Sequence, residues 1–104
     1  MRLLAFAALA TFCLTAAAAP ASAPPPSKPV RLGLCAACHG EKGIATMPGT
    51  PHLAGQDLTY LKHAIDAYRS GSRDAPIMRA AVGSLTAAEL DELAAWYAAQ
   101  ARDP

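Results

Sequence analysis

The chain has 104 residues, and its 9 Lys and Arg against 8 Asp and Glu give a formal net charge of only +1 at pH 7. A nucleic-acid-binding module normally carries a marked basic excess, and a disordered chain combines high net charge with low hydrophobicity. Because 53% of the residues are hydrophobic, the composition argues against both classes. The length allows one domain, close to the size at which a protein core needs a disulfide, a metal or a cofactor to be stable.

The N-terminus has the pattern of a secretory signal peptide, which we assign to residues 1–23. Arg2 precedes an uncharged run over residues 3–19, and the small residues at 21–23 form a suitable cleavage site. The alternative is a retained membrane anchor, although the run is at the short end of a bilayer span. Cleavage would remove Cys13 and leave a chain with two cysteines and no permanent membrane anchor.

A Pro-rich spacer over residues 24–29 follows, and we assign the remainder, residues 30–104, to a single domain. This part of the sequence has no alternating apolar run of the kind that forms a β-strand. Alanine and leucine dominate it instead. The composition therefore predicts an all-α fold.

Three main helices are predicted, over about residues 30–39, 56–70 and 86–101. The last has the clearest start, because Thr86 and Glu89 have the spacing of a capping box. Between the helices lie two segments, 40–55 and 71–85, that we predict to be long loops. Long irregular segments in a small domain are usually functional or wrapped around something.

The segment CAACH, residues 35–39, carries the strongest chemical signal in the chain. A C-x-x-C-H sequence is the attachment signature of c-type haem. Cys35 and Cys38 lie one helical turn apart, so each thiol can add to one vinyl group of the porphyrin. His39 then follows at the position from which an imidazole can ligate the iron. The motif thus predicts one covalently bound haem c.

Two other uses of these cysteines are weaker. A zinc finger would need a pair of histidines separated by roughly 3 to 5 residues, and His52 and His63 are farther apart than that. A thioredoxin-like pair requires a βαβ context, which the sequence lacks. A plain disulfide would leave His39 without a role.

From Gly33 onwards the chain resembles a small class I cytochrome c of the bacterial c553 type, similar to one half of a dihaem cytochrome c4. The resemblance rests on CAACHG, PHLAGQ followed by TYL, YRSGSR, a methionine in the next loop, and the final SLTAAELDELAAWYA segment. It implies a small class I cytochrome c fold with three main helices and long loops around the haem. Only one C-x-x-C-H is present, so a single haem is expected.

The resemblance also implies His/Met ligation of the iron, with His39 as the proximal and Met78 as the distal ligand. Met47 is the alternative methionine, but it lies shortly after His39 and is interpreted as a packing residue. A bis-histidine haem would use His52 or His63, of which we expect His63 to be solvated.

Softer assignments concern the surroundings of the ligands. By resemblance, the carbonyl of Pro48 accepts a hydrogen bond from His39 Nδ1, with Pro51 as the reserve. We expect Gly33 to let the first helix cross the last at close range, near Trp96. Four polar residues are candidates to contact the haem propionates: Gln56, Tyr60, Arg69 and Arg73.

The function implied is that of a periplasmic electron carrier rather than an enzyme, exported by its signal peptide. The resemblance implies redox proteins as its partners, and the near-neutral charge argues against nucleic acid as one. Two alternatives remain. The protein could be a haem-bearing subunit of a larger dehydrogenase or oxidase complex, or a peroxidase-like haem enzyme if Met78 dissociates.

Overall fold

The computed structural model describes residues 10–103. Within this range the regular structure is four helices: α1 (Leu32–His39), α2 (Leu58–Ser70), α3 (Pro76–Gly83) and α4 (Ala87–Ala98). The described residues contain no β-strand, and the predicted all-α fold is confirmed. The first part of the predicted signal peptide, residues 1–9, lies outside the described range. None of the described helices has the length and hydrophobicity to cross a membrane.

The start of α4 matches the prediction from its capping box. The Thr86 hydroxyl accepts from the Glu89 amide at 3.2 Å, and the Glu89 carboxylate accepts from the Thr86 amide at 2.9 Å. The helix ends at Ala98, earlier than predicted. At this end the Tyr97 carbonyl accepts from the amide of Gly55 at 2.9 Å and from that of Gln100, three residues on, at 3.2 Å, in place of the next α-helical bond.

The ends of α2 also agree with the sequence. The Asp57 carboxylate accepts from the amide of Tyr60 at 2.7 Å, which caps the N-terminus. Gly71 ends the helix with φ +79°, a left-handed conformation that glycine adopts without strain. Helix α1 begins slightly later than predicted, because Val30 and Arg31 form a turn before it.

The prediction of a loop over residues 71–85 is wrong, because α3 occupies its second half. Pro76 is the first residue of this helix, where its missing N–H costs nothing, and Ala75 before it is extended. Val82, one turn after Met78, is buried in the core. Residues 10–103 therefore form four helices, one more than the sequence predicts.

The core lies where α2 packs against both α3 and α4. Its buried side chains include Leu61 on α2, Val82 on α3, and Leu93 and Tyr97 on α4. Helix α1 contributes Leu32, which is 2% exposed.

The prediction of a close crossing at Gly33 is wrong. This glycine is exposed, and a Cβ added to it would meet nothing within 4 Å. The contact between α1 and the core is made one residue earlier, by Leu32. Helical spacing alone could not identify which of the two neighbours faces inward, since they differ by only about 100° around the helix.

Candidate functional site

All four helices contribute to the wall of one cavity of about 630 Å³. Its volume lies within the range of sites that enclose a small molecule or cofactor. Most of its lining is apolar, with Leu61 and Ile65 from α2 and Leu90 and Leu93 from α4 as examples. Arg73 is the one Lys, Arg, Asp or Glu side chain among the described residues that line it. The cavity therefore suits a large, mainly apolar group that also carries negative charge.

Helix α1 brings both cysteines of the CAACH segment to this cavity. Cys35 and Cys38 are free thiols, and both are partly buried. Burial raises the pKa of the Cys35 thiol, and the neighbouring Cys38 raises it further. The unreacted thiol is thus held in its protonated form inside the fold, since a buried thiolate would be poorly solvated.

His39, the last residue of α1, is 7% exposed and lines the same cavity. Its Nδ1 lies 2.9 Å from the carbonyl oxygen of Pro51. A carbonyl can only accept, so Nδ1 must carry the ring proton. The lone pair of a neutral ring is then on Nε2, which is the arrangement that a metal-ligating histidine needs.

The acceptor for His39 is therefore Pro51, and the prediction of Pro48 is wrong. Pro48 lies at the tip of the 40–55 loop, inside the turn that the Met47 carbonyl and the Thr50 amide close at 3.2 Å. The two sides of the loop meet at Gly43, whose carbonyl accepts from the amides of Leu53 and Ala54. Because the loop closes at Gly43, residue 51 lies next to the end of α1, whereas residue 48 lies at the far tip of the loop.

Two methionines reach the cavity from different parts of the chain. Met78 is on α3, is partly buried, and packs against the core cluster. Met47 is 49% exposed at the tip of the 40–55 loop, so its interpretation as a packing residue is wrong. The two sulfur atoms thus differ in how firmly their surroundings hold them.

The other two histidines have different environments. His52 is exposed and lines the cavity, and its Nδ1 accepts from the amide of Ala45 at 2.9 Å. Its ring proton is therefore on Nε2, the opposite tautomer from His39. His63 is exposed on α2, as predicted, and is not among the residues that line the cavity.

Two aromatic side chains of α4 hold the chain directly after His39. The Tyr97 hydroxyl donates to the Gly40 carbonyl at 2.9 Å, and Trp96 Nε1 donates to the Glu41 carbonyl at 2.7 Å. Burial raises the pKa of Tyr97 far above its usual value, with smaller contributions from Cys35 and Glu41. The phenol therefore remains a neutral donor at physiological pH.

Neither donor role is assigned from the sequence. The available signal was chemical. Buried Tyr and Trp side chains usually find a hydrogen-bond partner for their polar atom. What the sequence could not show is the partner, because the carbonyls lie 55 and 57 residues away.

Comparison with known proteins identifies the family. A family model described as "Cytochrome C oxidase, cbb3-type, subunit III" matches residues 32–96, more than half of the chain. Cytochrome c-554(548) of Halomonas halodenitrificans is 38% identical over 73 residues, which cover 67% of this chain and 88% of that protein. The chain is a class I c-type cytochrome.

Two further proteins are similar over part of their length. The "thiosulfate dehydrogenase electron acceptor" of Stutzerimonas stutzeri is 40% identical over 62 residues, which cover 59% of this chain and 29% of that protein. The solved structure of cytochrome c4 from Acidithiobacillus ferrooxidans aligns with a TM-score of 0.57 and 29% identity, over 62% of this chain and 37% of that one. This cytochrome thus spans well under two thirds of either protein.

Membership in the c-type cytochromes implies covalently bound haem c and transfer of electrons between redox proteins. The cavity of this cytochrome fits that cofactor, because two thiols, a histidine with a free Nε2 lone pair and a thioether sulfur all line it. Three of the four propionate candidates, Gln56, Tyr60 and Arg73, also line the cavity, whereas Arg69 does not. The Arg73 guanidinium lies 4.8 Å from the centre of the Tyr68 ring, which restricts its position.

Proposed function

We propose that this cytochrome is a periplasmic carrier of single electrons that holds one haem c, with His39 and Met78 as the axial ligands of its iron. The observation that carries the proposal is the hydrogen bond from His39 Nδ1 to the Pro51 carbonyl at 2.9 Å. It leaves Nε2 free to ligate, inside a cavity that the two thiols and Met78 also line. When bound, the haem supplies a one-electron iron couple.

The chain's own residues have separate tasks in this proposal. The sulfur atoms of Cys35 and Cys38 hold the porphyrin through two thioether bonds. The Pro51 carbonyl fixes the orientation of the His39 ring and increases its basicity. The apolar side chains of α2 and α4 exclude water, so little solvent has to reorganise when the charge on the iron changes.

Three arguments favour Met78 as the second ligand. It projects from a helix that packs on α2, whereas Met47 is half exposed at a loop tip. His52 is a poor alternative, because its Nδ1 accepts from Ala45 and its Nε2 therefore carries a proton instead of a free lone pair. His63 lines no part of the cavity wall formed by the described residues.

Ligation by both His39 and Met78 would leave the iron without an open coordination position. Such a centre transfers electrons but binds no substrate, so we propose that the protein is not an enzyme. A thioether ligand also raises the reduction potential relative to a bis-histidine haem. Export to the periplasm is supported by the signal pattern of residues 1–23.

The test is spectroscopic and uses the holoprotein. Met78→Ala should abolish the weak red charge-transfer band of sulfur-ligated ferric haem, lower the midpoint potential and let exogenous imidazole or cyanide bind. Met47→Leu is the matched control, because it removes the other sulfur with nearly unchanged volume. Loss of the band in Met47→Leu and its retention in Met78→Ala would reverse the assignment.

Two further measurements address the remaining parts of the proposal. Acidified acetone should fail to extract the haem, and the mass of the mature protein should exceed that of the polypeptide by a single haem. Cell fractionation should place the protein in the periplasmic extract. Extraction of the haem, or retention of the protein in the cytoplasm with an intact N-terminus, would contradict these points.

A second candidate function is a haem-bearing subunit that passes electrons inside a larger complex. It is favoured by the description of the matching family model, which names an oxidase subunit, and by the relative named as an electron acceptor of a dehydrogenase. Purification from the native cell under mild conditions separates the cases. A free carrier elutes at its own size, whereas a subunit co-purifies in fixed stoichiometry with an oxidoreductase.

A further inference from the structure

We infer that His52 is a positioning residue for the His39 imidazole, acting through the loop that carries Pro51. The inference rests on the proposed role of His39 as an iron ligand. It concerns a side chain that contacts neither His39 nor Pro51 through any hydrogen bond in the described structure. Its effect instead comes from the conformation of the backbone between residues 43 and 54.

Hydrogen bonds join the two sides of this loop at three levels. At the base, the Gly43 carbonyl accepts from the amides of Leu53 at 2.8 Å and Ala54 at 3.1 Å. At the tip, the Met47 carbonyl accepts from the Thr50 amide at 3.2 Å. The middle level has a side chain in place of a backbone acceptor, namely His52 Nδ1, which accepts from the Ala45 amide at 2.9 Å.

The hydrogen bond at the middle level is the one that holds the Pro51 carbonyl in position. The residue that supplies the acceptor, His52, is the immediate neighbour of Pro51, whose carbonyl receives the His39 proton. Proline has no N–H of its own, so it cannot add a backbone donor to hold its side of the loop. The imidazole of His52 therefore takes the place of a backbone hydrogen bond across the loop, next to a residue that has no N–H to form one.

The consequence for the iron ligand is electronic as well as geometric. A firmly placed carbonyl acceptor increases the basicity of a ligating imidazole and stabilises the oxidised metal. If the bond at Ala45 is lost, the Pro51 carbonyl gains freedom and its hydrogen bond with His39 weakens. The midpoint potential should then rise.

The experiment compares three variants of the holoprotein. His52→Ala removes the acceptor, and His52→Asn retains one, because the Asn Oδ1 is two bonds from Cβ, as Nδ1 is in histidine. His63→Ala is the control for loss of an exposed imidazole elsewhere. The readouts are the exchange rate of the Ala45 amide, the resonances of the His39 ring, and the midpoint potential.

We expect His52→Ala to speed exchange at Ala45 about fivefold, the effect of one lost hydrogen bond. It should also shift the His39 ring resonances and raise the potential. His52→Asn should restore all three values toward those of the wild type, and His63→Ala should change none. Failure of Asn to restore them, or unchanged His39 resonances and potential in His52→Ala, would overturn the inference.

A measurement on the wild-type protein keeps the inference testable if His52→Ala does not fold. Nitrogen-15 spectra of the imidazole should show His52 Nδ1 as unprotonated and hydrogen-bonded at neutral pH. Protonated Nδ1 at His52 would contradict the inference. Neither the Ala45 exchange rate nor this spectrum requires His39 to ligate iron, so a failure of the proposed ligation would be visible separately, in the Met78 and haem spectra.

Discussion

The hydroxyl of Tyr97 donates to the carbonyl of Gly40 at 2.9 Å and joins the last helix to the residue directly after His39. The neighbouring Trp96 donates to the next carbonyl along, that of Glu41. Two consecutive carbonyls are thus held by two consecutive side chains. The end of α1 is thus held by Tyr97, which lines the cavity, and by Trp96, which is not among its lining residues.

Tyr97→Phe should destabilise the holoprotein by about 1 kcal/mol, because it removes a buried hydrogen bond and leaves the Gly40 carbonyl only the longer one from the Gly43 amide at 3.3 Å. Chemical denaturation followed by the haem absorbance measures this free energy of unfolding. An unfolding free energy equal to that of the wild type would mean that the Tyr97–Gly40 bond contributes nothing.

The raised pKa of Tyr97 predicts a dependence of stability on alkaline pH. In the unfolded chain a tyrosine ionises near pH 10, whereas the buried phenol remains neutral to higher pH. The stabilisation that the neutral Tyr97 phenol gives to the folded state is therefore complete below about pH 10 and is lost as the pH rises further. Unfolding free energies should fall more steeply above that pH in the wild type than in Tyr97→Phe. Parallel curves for the two proteins would contradict the prediction.

Gly43 is required by space as well as by conformation. Its φ is +79°, and an added Cβ would lie 2.5 Å from the amide nitrogen of Ala54 and 2.9 Å from the Tyr97 ring. Gly49 has almost the same φ, +78°, but open space around it. Gly49→Ala should therefore lower the free energy of unfolding by about 1 kcal/mol, because only the strained backbone conformation opposes it. Gly43→Ala should lower it by at least about 3 kcal/mol, because the added Cβ also clashes with its neighbours.

Thermal unfolding of both glycine variants separates the two terms. The difference in stability between the two variants gives the energetic cost of the steric clash at Gly43, where the base of the loop lies close to α4. A Gly43→Ala protein as stable as Gly49→Ala would mean that the loop can shift away from Tyr97 at little cost.

The apo chain should be largely unfolded, because the cavity of about 630 Å³ leaves the small core without its central group. The double variant Cys35→Ala, Cys38→Ala, which cannot attach haem, tests this by circular dichroism. We expect weak helical signal and no cooperative melt. A fully helical spectrum with a sharp transition would show that the polypeptide forms its core alone.

Local signals in the sequence were sufficient for the elements that are stabilised locally. Asp57, Gly71 and the Thr86–Glu89 pair each act within one helical turn, and the corresponding helix ends agree with the prediction. Helix α3 has no side-chain cap, and its segment is the one that the sequence predicts to be a loop. Its stability depends on packing against α2, which the sequence does not display.

The functional site likewise combines residues that a local motif identifies with residues whose positions depend on tertiary contacts. Cys35, Cys38 and His39 are neighbours in sequence, and a short motif was enough to bring them together. The choice between Pro48 and Pro51 depended on where the loop closes, a contact between Gly43 and residues 53–54. The environment of Gly33 likewise depended on the rotation of α1 about its own axis, which only the packed structure determines.

The positions of Trp96 and Tyr97 late in the chain make the surroundings of the CAACH segment depend on the C-terminus. The carbonyls that accept from these side chains lie 55 and 57 residues earlier. A chain that lacks the last helix loses both hydrogen bonds, and water has to take their place. The last helix thus supports the residues that follow His39 as well as closing the core.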